Sequence, residues 1–148
     1  MGKRRKAREL VLQGLYAWEM NQDRFEAILE TFTNEIPEDP DTVEFASSLL
    51  RKAVRHQEEL DRDIRSVVKN WDFDRLALLD RLILRLAVAE LLYFNEIPPK
   101  VTINEAIDLA KKFSTEQSGQ FVNGILDALY RQYHQEKRIQ KSGRGLIG

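Results

Sequence analysis

Five cations, Lys3, Arg4, Arg5, Lys6 and Arg8, precede the first carboxylate of the chain, and an aromatic residue, Tyr16, follows about two helical turns later. On a helical wheel Arg5, Glu9, Leu12 and Tyr16 fall on one side, opposite the stripe Ala7, Leu10, Val11, Gly14, Leu15 and Trp18. That side is predicted to face solvent, projecting a guanidinium and a ring together. The pairing suits RNA, because phosphates meet the cations while bases stack on the ring. Basic residues can also merely solvate a helix start. Cations there oppose the macrodipole by about 0.3 kcal/mol or more each, however, so five of them invite a functional reason.

Catalysis has little to work with. The chain has no cysteine, and its two histidines, His56 and His134, lie in charged or terminal settings. Neither shares a helical face with a second ligand at metal spacing, so no metal site is predicted. No glycine loop that could cradle a phosphate occurs, and the many carboxylates read as solvated helix faces. The expectation is a protein that is not an enzyme and holds no cofactor.

The elements that must position the basic face follow from periodicity. Over 148 residues, 43% are apolar, enough for an ordinary globular interior, which excludes a wholly disordered chain. The formal net charge of −1 hides an uneven distribution, since the stretch 19–44 holds nine carboxylates against the single Arg24. Without cysteines there is neither a disulfide framework nor a thiolate metal site, and the N-terminus lacks the apolar core of a signal peptide. A soluble cytoplasmic protein is expected.

The first stripe predicts a helix over about 3–20 and Phe25, Ile28, Leu29 and Phe32 a short second one, ended by the proline-containing segment 35–40. A third run begins near Asp41 and carries Phe45, Ala46, Leu49, Ala53, Leu60, Ile64 and Val67, with a restart near Asp61. Trp71 and Phe73, large aromatics expected to close the core between two packed layers, then precede the stretch that organises the chain, residues 74–95. Its apolar residues cover nearly the whole circumference, which marks a helix buried on several sides, although Asp80, Arg81, Arg85 and Glu90 rule against a membrane span. The arc of Asp80 and Arg81 is predicted to face solvent as a partner surface. Beyond Pro98 and Pro99, Thr102 to Glu105 reads as a capping box and the segment 114–117 as a second cap. The last long helix carries Phe121, Val122, Ile125, Leu126, Leu129 and Tyr133, and residues 135–148 read as a flexible tail. The prediction is an all-α fold of six or seven helices in two small packed bundles around a central buried helix.

Three separated blocks, RRKARELVLQGLYAWEM, VVKNWDFDRLALLDRLILRLAVAELLYF and IPPKVTINEAIDLAKKFSTEQSGQFVNGILD, resemble the bacterial NusB family in order and spacing, over about nine tenths of the chain. The resemblance implies one NusB-like domain over 1–134, with an N-terminal bundle over 1–70 and a C-terminal bundle over 71–134. It further implies a cytoplasmic antitermination factor that pairs with the ribosomal protein NusE, binds boxA RNA of ribosomal RNA operons, and joins the transcription elongation complex. The family's arginine-rich start maps onto Lys3, Arg4, Arg5, Lys6 and Arg8, and the tyrosine of its LYxW segment onto Tyr16. GQFVNG resembles the family's KFVNG and carries Gln120, Phe121 and Asn123 to the RNA side, with Gln120 where many relatives have lysine. Phe121 serves either there or as core packing. Asp80 and Arg81 match the acidic and basic pair near the NusE contact. Monomer and homodimer stay open for the free protein. The alternatives are a stand-alone RNA-binding module related to RNA methyltransferase domains, or a helical protein–protein adaptor.

Overall fold

A computed structural model describes residues 2–68 and 76–146. Trp71 and Phe73, expected to close the core, lie outside the described residues. Within these there are seven α-helices and no strand: α1 Gly2–Tyr16, α2 Phe25–Glu35, α3 Pro40–Arg55, α4 Gln57–Val67, α5 Leu78–Tyr93, α6 Pro99–Phe113 and α7 Glu116–Gln135. The all-α expectation is borne out. The chain divides into two compact units, 1–55 and 56–148. The division falls before α4 and not near residue 70, because α4 packs on α5 and α7.

In the first unit α1 packs on α3 and α2 through the predicted stripe, with Ala7, Leu10, Val11 and Leu15 buried. Gly14 permits the closest approach: a Cβ there would stand 3.0 Å from Ile28 and 3.1 Å from Phe32. A π-helical turn, Ala17–Asn21, prolongs α1, and Gln22 stops it in the left-handed conformation at φ 55. Asp39 begins α3 by accepting from the Thr42 amide at 3.3 Å and its hydroxyl at 2.8 Å, ahead of Pro40. The Thr42 hydroxyl is the chief reason the Asp39 carboxyl is held below its ordinary pKa.

The second unit is built around α5, which is buried from Leu82 to Leu91 as predicted. Asp80, Arg85 and Glu90 are buried too, and they are not solvated faces. Arg85, 1% exposed, donates two bonds of 2.9 Å to Asp61 of α4. Two residues on, Asp63 accepts from Tyr133 at 2.7 Å and Arg138 at 3.0 Å. Helix α4 is already formed at Asp61, with Asp61 and Asp63 on different sides of it meeting different partners. The restart therefore falls at His56, whose ring stacks on Tyr93 at 4.2 Å. The predicted capping box is also corrected. Pro98 and Pro99 open α6, so Thr102 lies inside the helix, and its hydroxyl donates to buried Glu90 at 2.8 Å.

The segment expected to be a flexible tail is fastened to the second unit. The Arg138 guanidinium binds Asp63 and lies 4.6 Å over the Tyr133 ring. The Lys141 amine donates to the Phe94 carbonyl at 2.9 Å, and the Ser142 amide to Asn95 O at 3.0 Å. Gly145 is packed so closely that a Cβ would fall 1.9 Å from Asn95 O. Gly145→Ala is thus expected to lift the segment from the end of α5, seen as faster amide exchange at Ser142 with unchanged helical content. Unchanged protection would show the contact to be dispensable.

The α4–α5 contact made by Tyr93 and Glu59 is sensitive to alkali. Burial first, then its bond to Glu59, push the Tyr93 phenol up to about 12, with Arg138 opposing. A phenol raised above its unfolded value of about 10 adds stability that is present below pH about 10 and lost as pH rises through about 12. Tyr93→Phe is expected to flatten the fall of urea-unfolding stability across that window. An equal fall in both proteins would contradict it.

Candidate nucleic-acid interface

Lys3, Arg4 and Arg5 are exposed on the first turns of α1, and Lys6 is half-exposed. No acidic residue lies in that first turn. Lys3 stands 3.5 Å from Asp39, a pair two-thirds solvated on the lysine side and therefore weak. The Arg4 guanidinium lies 4.0 Å over the Phe45 ring. Cation–π contact holds the guanidinium over the ring without using its N–H groups as conventional hydrogen-bond donors, which suits them to an outside acceptor.

Arg8 departs from expectation. It is 3% exposed, its guanidinium 5.7 Å from the same Phe45 ring, and Leu12 one turn on is also buried. Residues 8 and 12 thus form a second buried line on α1, of which the wheel assigned Leu12 to solvent. Arg8 holds Phe45 and cannot reach out to a phosphate. Tyr16 is 43% exposed as predicted, and Met20, 55% exposed, prolongs its face. Arg5 and Tyr16 lie on one side but about 16 Å apart along the axis, a span for several nucleotides and not a single contact. Phe45 was legible only as core, since nothing in its spacing announces two arginines stacked above it.

The other predicted RNA residues are on α7 in the second unit. Thr115 caps this helix by accepting from the Ser118 amide at 3.0 Å, within the second predicted cap. Gln120 and Asn123 are exposed one turn apart, with Phe121 half-buried at their edge and Val122 inside. Gln120 brings no charge, but a cation missed in the sequence packs against the preceding residue, Gly119. The Lys111 stem packs on Gly119, 3.0 Å from where its Cβ would be, and its amine lies 3.8 Å from Glu116.

Asp80 is not solvent-facing. It is 8% exposed and accepts from the Ser118 hydroxyl at 3.1 Å, so it ties α5 to the start of α7. Its Oδ1 is buried and has no hydrogen-bond partner among the described residues. Arg81 is half-exposed beside it. The wheel failed here because a hydroxyl 38 positions away supplies what water would have supplied. Among the described residues no group of three or more carboxylates and histidines could hold a metal.

Residues 5–131 match the NusB family model. The chain belongs to the NusB family. The transcription antitermination protein NusB of Salinibacter ruber is 45% identical over 149 residues, covering 100% of this chain and 93% of that one. Among solved structures, T. maritima NusB superposes with a TM-score of 0.82 at 37% identity, over 91% of this chain and 95% of the other. Antitermination factors NusB and NusE in complex with dsRNA give 0.80 at 35%, over 90% and 99%. The three-block resemblance is therefore borne out, and the fold of this NusB family member is that of its relatives. The fastened residues Arg138 to Gly145 lie beyond the family match. No helix among the described residues is long and apolar enough to cross a membrane.

Proposed function

We propose that this chain binds the boxA element of nascent ribosomal RNA transcripts together with NusE, in the cytoplasm and within the transcription elongation complex, without catalysing a reaction itself. The observation that carries this reading is the cluster Lys3, Arg4, Arg5 and half-exposed Lys6 on a helix whose first turn holds no acidic residue, with exposed Tyr16 on the Arg5 side of α1. The solved assembly of NusB and NusE with dsRNA supports it. Lys3, Arg4, Arg5 and Lys6 meet phosphates, and Tyr16 stacks on a base. Gln120 and Asn123 offer amides to base edges or backbone, with Phe121 beside them, while Arg8 positions Phe45 under Arg4.

Asp80 and Arg81 are the proposed NusE contact. Half-exposed Arg81 would meet NusE directly, and Asp80, whose Oδ1 is buried, would hold its charge just beneath that contact. Asp80→Asn keeps an acceptor for Ser118 but loses the charge, and calorimetry should show NusE binding weaker by about 2 kcal/mol or more. Equal affinity would remove Asp80 from the interface. For the whole reading, boxA RNA is titrated with and without NusE at several salt concentrations. Affinity is expected to rise with NusE and fall with salt; salt-independent binding, or none, overturns it.

A further inference from the structure

Helices α2 and α3 enclose an open groove of about 440 Å³ within the first unit, lined by Phe25, Ser48, Arg51, Lys52, Val54 and Arg55. The volume is within the range of small-molecule sites, about 300 to 1,000 Å³. Phe25 and Val54 supply the apolar surface, and the Phe25 ring is held edge-on by Trp18 at 6.3 Å and 89°. Arg51 and Arg55 are exposed. Among the described residues neither has an ion-pair partner, although the neighbouring stretch 19–44 is rich in carboxylates. Lys52 and Arg55 lie in the last turn of α3, where cations complement the helix dipole. That local role explains neither Arg51 nor an aromatic groove left open between unpaired arginines.

The groove also continues from the surface already described. Phe45, Ser48 and Lys52 fall within about 60° of one another around α3, and Phe45 to Lys52 is about 10 Å along its axis. Arg4 lies over the Phe45 end of that line. Arg51 and Arg55 are about 6 Å apart along the axis, suited to successive phosphates of one strand. An acidic peptide would meet the same cations but has no base to place on Phe25.

We infer that the α2–α3 groove is a second RNA subsite, taking nucleotides that flank the segment held on the start of α1, with a base against Phe25 and phosphates on Arg51 and Arg55. This rests on the RNA-binding reading above and extends it to residues that the family resemblance does not assign.

Fluorescence anisotropy of the full chain tests it, using a boxA-only oligonucleotide and oligonucleotides extended at the 5′ or the 3′ end. One extension is expected to tighten binding, and the double variant Arg51→Gln, Arg55→Gln to abolish that gain. Two lost phosphate contacts flatten the log–log salt slope by about 1.4 and weaken binding about tenfold near physiological salt, leaving the boxA-only RNA unaffected. Phe25→Leu should cost the extended RNA about fivefold or more with the slope unchanged. If Phe25→Leu disturbs the fold, the exposed arginines still decide the matter, with thermal melting as their control. No gain from either extension, or a gain the double variant keeps, overturns the subsite and leaves boxA binding standing. A polyglutamate peptide that binds the wild type and not the double variant, with the RNA gain intact, assigns the groove to an acidic peptide and overturns it too. If the wild type binds no RNA, the functional reading falls, and the subsite with it.

Discussion

Arg85→Ala is expected to destabilise the protein by about 3 to 5 kcal/mol, because it strands the Asp61 carboxylate in the core of the second unit. Arg85 is 1% exposed, and both of its bonds to Asp61 are 2.9 Å long, the fork geometry in which a guanidinium best repays its desolvation. Removing one partner differs from removing both. The double variant Arg85→Met, Asp61→Leu fills the space without burying a charge, and should lie within about 1 kcal/mol of the wild type or above it. Urea unfolding of the two variants measures the difference directly. A single variant costing under about 1 kcal/mol would mean that Asp61 finds water or another donor once Arg85 is gone.

That pair also shows where reading the sequence stops. The apolar stripes of α1, α3, α6 and α7 follow from the 3.6-residue period and needed no knowledge of neighbours, so helix number and core faces were legible. Burial of α5 on all sides was legible for the same reason. Polar residues on those helices were not, because a wheel reports direction but not what stands there. Thr102 reads as a cap by its spacing to Glu105, yet Glu90 of α5 takes its hydroxyl. Asp80 and Arg8 read as solvent-facing, whereas Ser118 in one case and Phe45 in the other complete their burial. Glycine and charge in residues 135–148 read as disorder, while Asp63 and the carbonyls ending α5 are the partners that order them. In each case the deciding group lies on another element, at a sequence distance no local pattern encodes. The candidate site fared better at the start of α1, where exposure needs no partner and Lys3, Arg4, Arg5 and Tyr16 are exposed.

Replacing Lys3, Arg4, Arg5 and Lys6 by alanine is expected to flatten the salt dependence of boxA binding by up to about 2.8 on a log–log scale, at roughly 0.7 per phosphate contact on a single strand. Lys3 will contribute less than its share, since Asp39 already stands 3.5 Å from it. Arg8 is left out because its burial makes Arg8→Ala a packing change, felt in melting before it is felt in RNA binding. Tyr16→Ala should behave differently from the fourfold variant. Loss of a stacking platform costs about 1 to 3 kcal/mol of affinity and leaves the salt slope where it was. The fold should tolerate it, since Tyr16 is 43% exposed and lies opposite the buried stripe. Titrations at three or more salt concentrations separate the two effects, one in slope and one in intercept. Should the fourfold variant keep both its affinity and its slope, the start of α1 is a solvated helix end and the RNA is held elsewhere.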